Sequence, residues 1–197
     1  MLKSFYTNNL NEAGCDEAGR GCLAGPVAAA AVILPENFDE CMIKDSKKLT
    51  KIQREKLRKT IEKHAISYSV VFVDNNTIDE INILNATYKA MNEAIKSLSV
   101  KPSFVLIDGN RFVNETQIKH QCIIQGDSLY KSIAAASILA KTYRDEYMVQ
   151  LHHQFPKYNW IKNKGYPTYE HISAILQNGS SIFHRKSFKT KQQLKLF

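Results

Sequence analysis

The clearest apolar run covers residues 27–34 and is closed by Pro35, while residues 66–73 alternate around Val70, Val71 and Val73. Both patterns predict strands, and residues 104–107 and 122–124 are shorter candidates of the buried kind. Between them lie segments with helix-start signals. Thr50-Lys-Ile-Gln53 has the spacing of a capping box and predicts a basic helix to about His64. Thr77-Ile-Asp-Glu80 predicts a second start, for a helical region through Leu98. The longest helical pattern spans residues 130–155, with Ile133, Ala136, Ile138, Ala140, Met148 and Leu151 available for a buried stripe. Thr168 can cap a further helix to Gln177, with Gly179 just past its end.

Strands come first, then alternate with helices, and the tail is helical. That order predicts a layered α/β domain with a C-terminal helical appendage. No repeat, low-complexity tract or Pro/Gly/Ser linker divides the 197 residues, so one domain is expected: an α/β core over about 1–157 and a basic helical region over about 158–197. The four cysteines, at 15, 22, 41 and 122, form no CxxC pair, which argues against a zinc finger or a disulfide framework and for reduced thiols in the cytoplasm. The N-terminus lacks the apolar stretch of a signal peptide, and no apolar run is long enough to span a bilayer, so no membrane association is expected.

Charge changes the picture. The net charge is +8, but residues 151–197 carry eight basic side chains against one acid, Glu170. The tail is either a solvated basic face or the site of a polyanion partner. Against that background the acids of the first part stand out. Asp16, Asp108 and Asp127 each follow an apolar or small stretch and sit beside Gly, Ser or Glu17. One such Asp is ordinary turn chemistry. Three, with Glu17, predict carboxylates gathered at strand ends, where open α/β sheets bind ligands. Such a cluster repels itself unless cations lie within it, and oxygen-rich sites suit Mg²⁺ or Mn²⁺ rather than zinc. In a regular strand Asp16 and Glu17 face opposite sides, so the chain is expected to bend there.

An ordered series of segments carries a resemblance to the bacterial type 2 ribonuclease H family, ribonuclease HII. It runs Asp16-Glu17-Ala-Gly19-Arg20-Gly21, Gly25-Pro-Val27, Asp45-Ser-Lys47-Lys-Leu49, Asp108-Gly109 and Gly126-Asp127, then residues 132–141 with Arg144-Asp145, Gly165-Tyr166 and His184-Arg-Lys-Ser-Phe188. The resemblance implies an RNase H-like fold: a central mixed five-stranded sheet flanked by helices, with a C-terminal helical region. It implies that Asp16, Glu17, Asp108 and Asp127 are the catalytic, metal-binding set, with Asp16 and Asp108 central. Two divalent ions, Mg²⁺ or Mn²⁺, about 4 Å apart are expected, one of them dependent on substrate. The DE pair begins at residue 16, leaving no room for the extra N-terminal domain of the type 3 relative.

The implied reaction is endonucleolytic cleavage of the RNA strand in an RNA–DNA hybrid, and of duplex DNA 5′ to an embedded ribonucleotide. The products carry 3′-hydroxyl and 5′-phosphate ends. Selectivity then requires a sensor for the 2′-hydroxyl. Gly19-Arg20-Gly21 admits a sugar close to the backbone, and the family assigns recognition to that motif and to a tyrosine matching Tyr166. Here Pro167 replaces the usual glycine and restricts Tyr166 to extended conformations. The family pattern points to Lys47, Ser132 and Arg20 for phosphate contact, while the basic face of residues 51–64 reads as solvated surface and His152 and His153 are not expected to be ligands. The terminal Gln193-Leu194-Lys-Leu196-Phe197 resembles a bacterial sliding-clamp-binding peptide; alternatively its apolar residues close the last helix onto the domain. The rival functions are a non-catalytic basic nucleic-acid binder, opposed by the four acids, and a DNA-junction nuclease, opposed by the Gly-Arg-Gly motif with Tyr166.

Overall fold

A computed structural model describes residues 2–7, 11–38 and 50–188. Lys47 and residues 193–197 lie outside these. The chain forms β1 (Glu12–Ala18), β2 (Val27–Ile33), α1 (Lys51–His64), β3 (Ser67–Val73), α2 (Asn75–Lys96), β4 (Phe104–Asp108) and β5 (His120–Ile123). It continues with α3 (Lys131–Gln154), α4 (Trp160–Asn163) and α5 (Tyr169–Asn178). The sheet order is β3-β2-β1-β4-β5. β1–β2 and β2–β3 are antiparallel, whereas β4 runs parallel to β1 and β5 parallel to β4. This is the expected mixed five-stranded sheet.

The second strand explains how the layers close. All seven residues of Val27-Ala-Ala-Ala-Ala-Val-Ile33 are buried, because helices cover both faces. On one face, Ala29, Ala31 and Ile33 meet Ala86, Ala90, Met91 and Ala94 of α2. On the other, Ala30 and Val32 meet Ala134–Ala136, Ile138 and Leu139 of α3, with Leu57 and Ile61 of α1. Small side chains let the helices come close. The approach is tightest at Gly14 of β1, where an added Cβ would lie 2.2 Å from the Ser132 carbonyl carbon of α3.

The capping box at Thr50 forms as expected: Thr50 Oγ1 accepts from Gln53 N at 3.3 Å, and Gln53 Oε1 accepts from Thr50 N at 2.8 Å. Thr168 caps α5 through a single bond, its Oγ1 accepting from His171 N. The second helix differs from expectation. Asp74, not Thr77, caps it, its Oδ1 accepting from Thr77 N at 2.8 Å. Asn82 (φ 65°) then interrupts it. The Asn82 side chain accepts from Leu84 N and Asn85 N, so it acts as an internal cap that restarts the helix. In α3 the predicted stripe is buried, but so is every residue from Lys131 to Ala136. This first half is sandwiched rather than amphipathic.

Residues 158–188 fold over the segment that follows β1. Trp160, Tyr158 and Ile175 pack with Leu23, Ala24, Met148 and Leu151. Backbone bonds run from Leu23 N to Gly165 O (2.7 Å), Gly25 N to Phe183 O (2.9 Å) and Arg185 N to Leu23 O (2.9 Å). No described helix is long and apolar enough to cross a membrane, and the described cysteines, Cys15, Cys22 and Cys122, are free thiols.

The close approach at Gly14 gives a direct test. Gly14→Ala should lower stability by about 1–3 kcal/mol, the usual cost of overpacking, measured by urea denaturation; an unchanged midpoint would contradict the α3–β1 contact.

Candidate active site

Register builds the site. In the parallel pair, Cys15 of β1 lies beside Ile107 of β4. The next residue on each strand is an acid, so Asp16 and Asp108 emerge side by side. Cys15 and Ile107 both point into the α2 side of the core, so alternation turns both aspartates toward α3. Asp108 ends β4, and its Oδ1 accepts from Gly126 N at 2.7 Å. That bond draws in the short 3-10 turn of residues 126–128, which carries the buried Asp127 between β5 and α3.

Glu17 reaches the same place from the opposite face of β1. The expected bend between Asp16 and Glu17 does not occur; β1 stays regular through Ala18, and the chain turns at Gly19 (φ 95°). Because β4 ends at Asp108, the tip of β1 has β2 on one side only, and Glu17 can swing to the open side. Asp16, Glu17, Asp108 and Asp127 consequently line one cleft with Gly19, Arg20, Gly21 and Tyr166. Ser132 does not line it; this residue is buried in the first turn of α3. Three further polar side chains do, Arg54, Ser137 and Lys141, along with Ala18. The basic face of α1 is thus not wholly solvated surface, because one turn of it tips Arg54 into the cleft. No periodicity in the sequence signals that, since the packing of α1 against α3 decides it.

Electrostatics set these acids apart. Burial, and then the charges of Glu17 and Asp108, hold the Asp16 carboxyl well above the usual carboxylate range; bonds from Ser137 and Glu17 N act the other way. Glu17 is also raised, chiefly by burial, although the Arg20 guanidinium 3.1 Å away opposes this. Three of the acids lean on local donors: Asp16 on Glu17 N at 2.7 Å, Glu17 on Arg20, and Asp108 on Gly126 N. Among the described residues, no three acid, histidine or cysteine side chains are posed as a finished metal cage. The donor set nonetheless fits a hard divalent ion: oxygen ligands only, mutually repelling and desolvated, a state that a cation between them relieves.

The turn beside the acids is held from behind. Arg185, 2% exposed, donates to Gly25 O, Arg20 O and Gly19 O at 2.8–3.0 Å. Arg144, wholly buried, donates to Pro26 O, Ala24 O and Lys164 O at 2.9–3.1 Å. A Cβ on Gly19 would collide with the Arg144 side chain at 1.9 Å, whereas a Cβ on Gly21 would meet nothing within 4 Å. Gly19 is therefore required by the fold, but Gly21 leaves open room on the cleft side. The half-exposed Tyr166 ring has Lys141 Nζ 5.3 Å and Arg144 Cζ 5.9 Å from its centre, and its hydroxyl neighbours the Cys22 thiol.

The electrostatics predict a sign. A carboxyl whose folded pKa lies above its unfolded value, about 3.9 for Asp, takes up a proton on folding, so its contribution to stability is lost as pH rises through the folded pKa. In EDTA, Asp16→Asn should therefore be more stable than the native chain at pH 8, with the gap narrowing toward pH 5. Urea midpoints at both values check this, and a less stable variant at pH 8 would refute the like-charge reading.

Known proteins resemble this chain in sequence and fold. The family model described as Ribonuclease HII matches residues 13–191. A ribonuclease HII of Bacteroides thetaiotaomicron is 55% identical over 188 residues, covering 95% of this chain and 94% of the relative. That of Christiangramia forsetii is 55% identical over 196 residues, covering 99% of each. Among solved structures, the ribonuclease H2 of Pyrococcus horikoshii superposes with a TM-score of 0.77 at 26% identity, over 94% of this chain and 96% of that one. The ribonuclease HII in a complex with PCNA from Archaeoglobus fulgidus gives 0.77 at 27%, over 95% and 100%. The chain belongs to the ribonuclease HII family and is an endonuclease of the ribonuclease H class.

Proposed function

We propose that this chain hydrolyses the RNA strand of RNA–DNA hybrids and cuts duplex DNA 5′ of an embedded ribonucleotide, leaving 3′-hydroxyl and 5′-phosphate ends. The observation that carries this reading is that one cleft holds both the four carboxylates and the ribose-facing parts, Gly19–Gly21 and Tyr166. Asp16, Glu17, Asp108 and Asp127 would hold two divalent ions, Mg²⁺ or Mn²⁺. Such ions supply Lewis acidity to the attacking water and the leaving 3′-oxygen.

The protein's own residues do the rest. Buried Asp16 and half-buried Asp108 fix the reacting phosphate's position relative to the sheet, because their strands are locked in register. Arg20 turns between Glu17 and a backbone phosphate, and Lys141 and Arg54 add positive charge at the rim. Gly21, with open space at its Cα, lets the backbone meet a ribose at a distance that a side chain would prevent. Tyr166 closes the other side of the sugar. A 2′-hydroxyl buried between these groups with its partners in place discriminates strongly against a sugar lacking it.

Lys47 and the terminal peptide complete the reading. Lys47 contacts a phosphate of the substrate, and Gln193, Leu194, Leu196 and Phe197 dock on a sliding clamp. The archaeal relative's complex with PCNA supports a clamp as partner.

With Mg²⁺ or Mn²⁺, the protein should cut a duplex containing one ribonucleotide and leave an all-DNA duplex intact; failure to cut the first sinks the reading. Gly21→Ala should keep its melting temperature yet lose about ten-fold or more in kcat/KM, and full activity would remove the turn from ribose recognition. Deleting residues 193–197 should abolish binding to a bacterial sliding clamp in a pull-down and spare cleavage; retained clamp binding contradicts the docking role.

A further inference from the structure

Behind Tyr166 lies a buried pair of imidazoles that cleavage itself does not use. His171 is wholly buried and His184 is 3% exposed, walled in by Trp160 and Tyr158. Their Nε2 atoms stand 3.2 Å apart. The surrounding donors fix both tautomers. The Trp160 Nε1–H group can only donate, and it points at His171 Nε2 at 2.9 Å. His171 Nε2 is therefore an acceptor, so the ring proton sits on Nδ1 and is donated to Tyr166 O at 2.9 Å. The Ser181 backbone N–H can likewise only donate, and it meets His184 Nδ1 at 2.8 Å. The His184 proton is then on Nε2, donated to His171 Nε2. The bonds run one way, from Ser181 through His184 and His171 to the Tyr166 carbonyl.

A second N–H proton on either ring would set donor against donor. Burial lowers the pKa of both residues, and His184, also facing His171, is pushed down to about 4. The pair is thus a neutral strut. It bears on the Tyr166 loop at the Tyr166 carbonyl, and the loop is also tied by Tyr166 N to Asn163 O (2.9 Å), Thr168 N to Tyr166 O (2.8 Å) and Gly165 N to Asn163 Oδ1 (2.8 Å). Gly165, next to Tyr166, accepts from Leu23 just past the Gly-Arg-Gly turn, so tilting this loop changes how the ring faces that turn.

We propose that His171, its tautomer set by Trp160 and its Nε2 also bonded by His184, is a positioning residue for Tyr166, fixing the angle at which the ring meets a ribose on Gly19–Gly21. This rests on the reading of Tyr166 as part of the ribose sensor.

Two substitutions separate positioning from simple support. In His171→Asn an amide nitrogen takes the place of Nδ1 and can still donate to Tyr166 O. In His171→Gln an amide reaches the Nε2 position instead, serving Trp160 and His184 but not Tyr166. Each is made alone and in a Tyr166→Ala background, its folding verified by circular dichroism. The readout is kcat/KM on a single-ribonucleotide DNA duplex with Mg²⁺. His171→Gln should lose about ten-fold and His171→Asn should stay within about three-fold of native. In the Tyr166→Ala background His171→Gln should cost nothing more, because its effect runs through the ring.

Equal losses in the two variants, or a full further loss on top of Tyr166→Ala, would overturn the inference and leave the pair a packing element. Should His171→Gln fail to fold, Trp160→Phe removes the donor that sets the tautomer; its loss should likewise vanish in the Tyr166→Ala background, and a multiplying loss overturns the inference. Native protein that leaves the duplex uncut overturns the functional reading itself. Tyr166→Ala with native activity overturns the sensor assignment, and this inference with it.

Discussion

Two carboxylates placed side by side on neighbouring parallel strands repel each other, and burial makes the repulsion worse. The Cys15–Ile107 register imposes that placement on Asp16 and Asp108, and much of the surrounding structure resists its consequences. A sheet edge that could relax would let the acids drift apart. Here it cannot, because β1 lies between two strands, is covered by α2, and is pressed by α3 at Gly14, where even a methyl group has no room. The rigid core stores an unfavourable charge arrangement at one end, which is the arrangement that a divalent ion reverses.

The same economy governs the basic residues. Net charge first suggested a positive tail that grips a polyanion, yet Arg185, one of that tail's eight basic residues, is buried and faces inward. Together with Arg144 it is stripped of water, enough to push the Arg185 guanidinium down to about 10, burial contributing first and Arg144 second. Six backbone carbonyls take up the donors of the two guanidinium groups. These arginines shape the turn that a sugar would approach; they do not attract the nucleic acid. Among the described residues, the positive charge that reaches the cleft comes instead from Arg20, Arg54 and Lys141.

What could be read from the sequence was whatever depends on neighbours in the chain. The Thr50–Gln53 box and the Thr168 cap form as their spacing predicts, because a cap is satisfied within one turn. Four strand positions followed from apolar runs, whereas β1, Glu-Ala-Gly-Cys-Asp-Glu-Ala, has no such run; the acids stood out because Asp after an apolar or small stretch beside Gly is a local signature. The break at Asn82 was invisible, since a mid-helix Asn looks the same whether it points outward or caps a restarted helix. Arg54 was read as surface because its role depends on how α1 leans on α3. His184 stood in a quoted motif, but its pairing with His171 gave no signal: the chemistry of the pair comes from Trp160, Ser181 and Tyr166, brought together only when the segment after α3 folds over the residues that follow β1.

If the four acids hold a divalent cation by virtue of their enforced proximity, calorimetric titration of Mn²⁺ into the protein without nucleic acid should show saturable binding. That binding should weaken about ten-fold or more in Asp108→Asn, because half of the side-by-side pair is neutralised. Equal binding of Mn²⁺ by native protein and Asp108→Asn would rule out such a site.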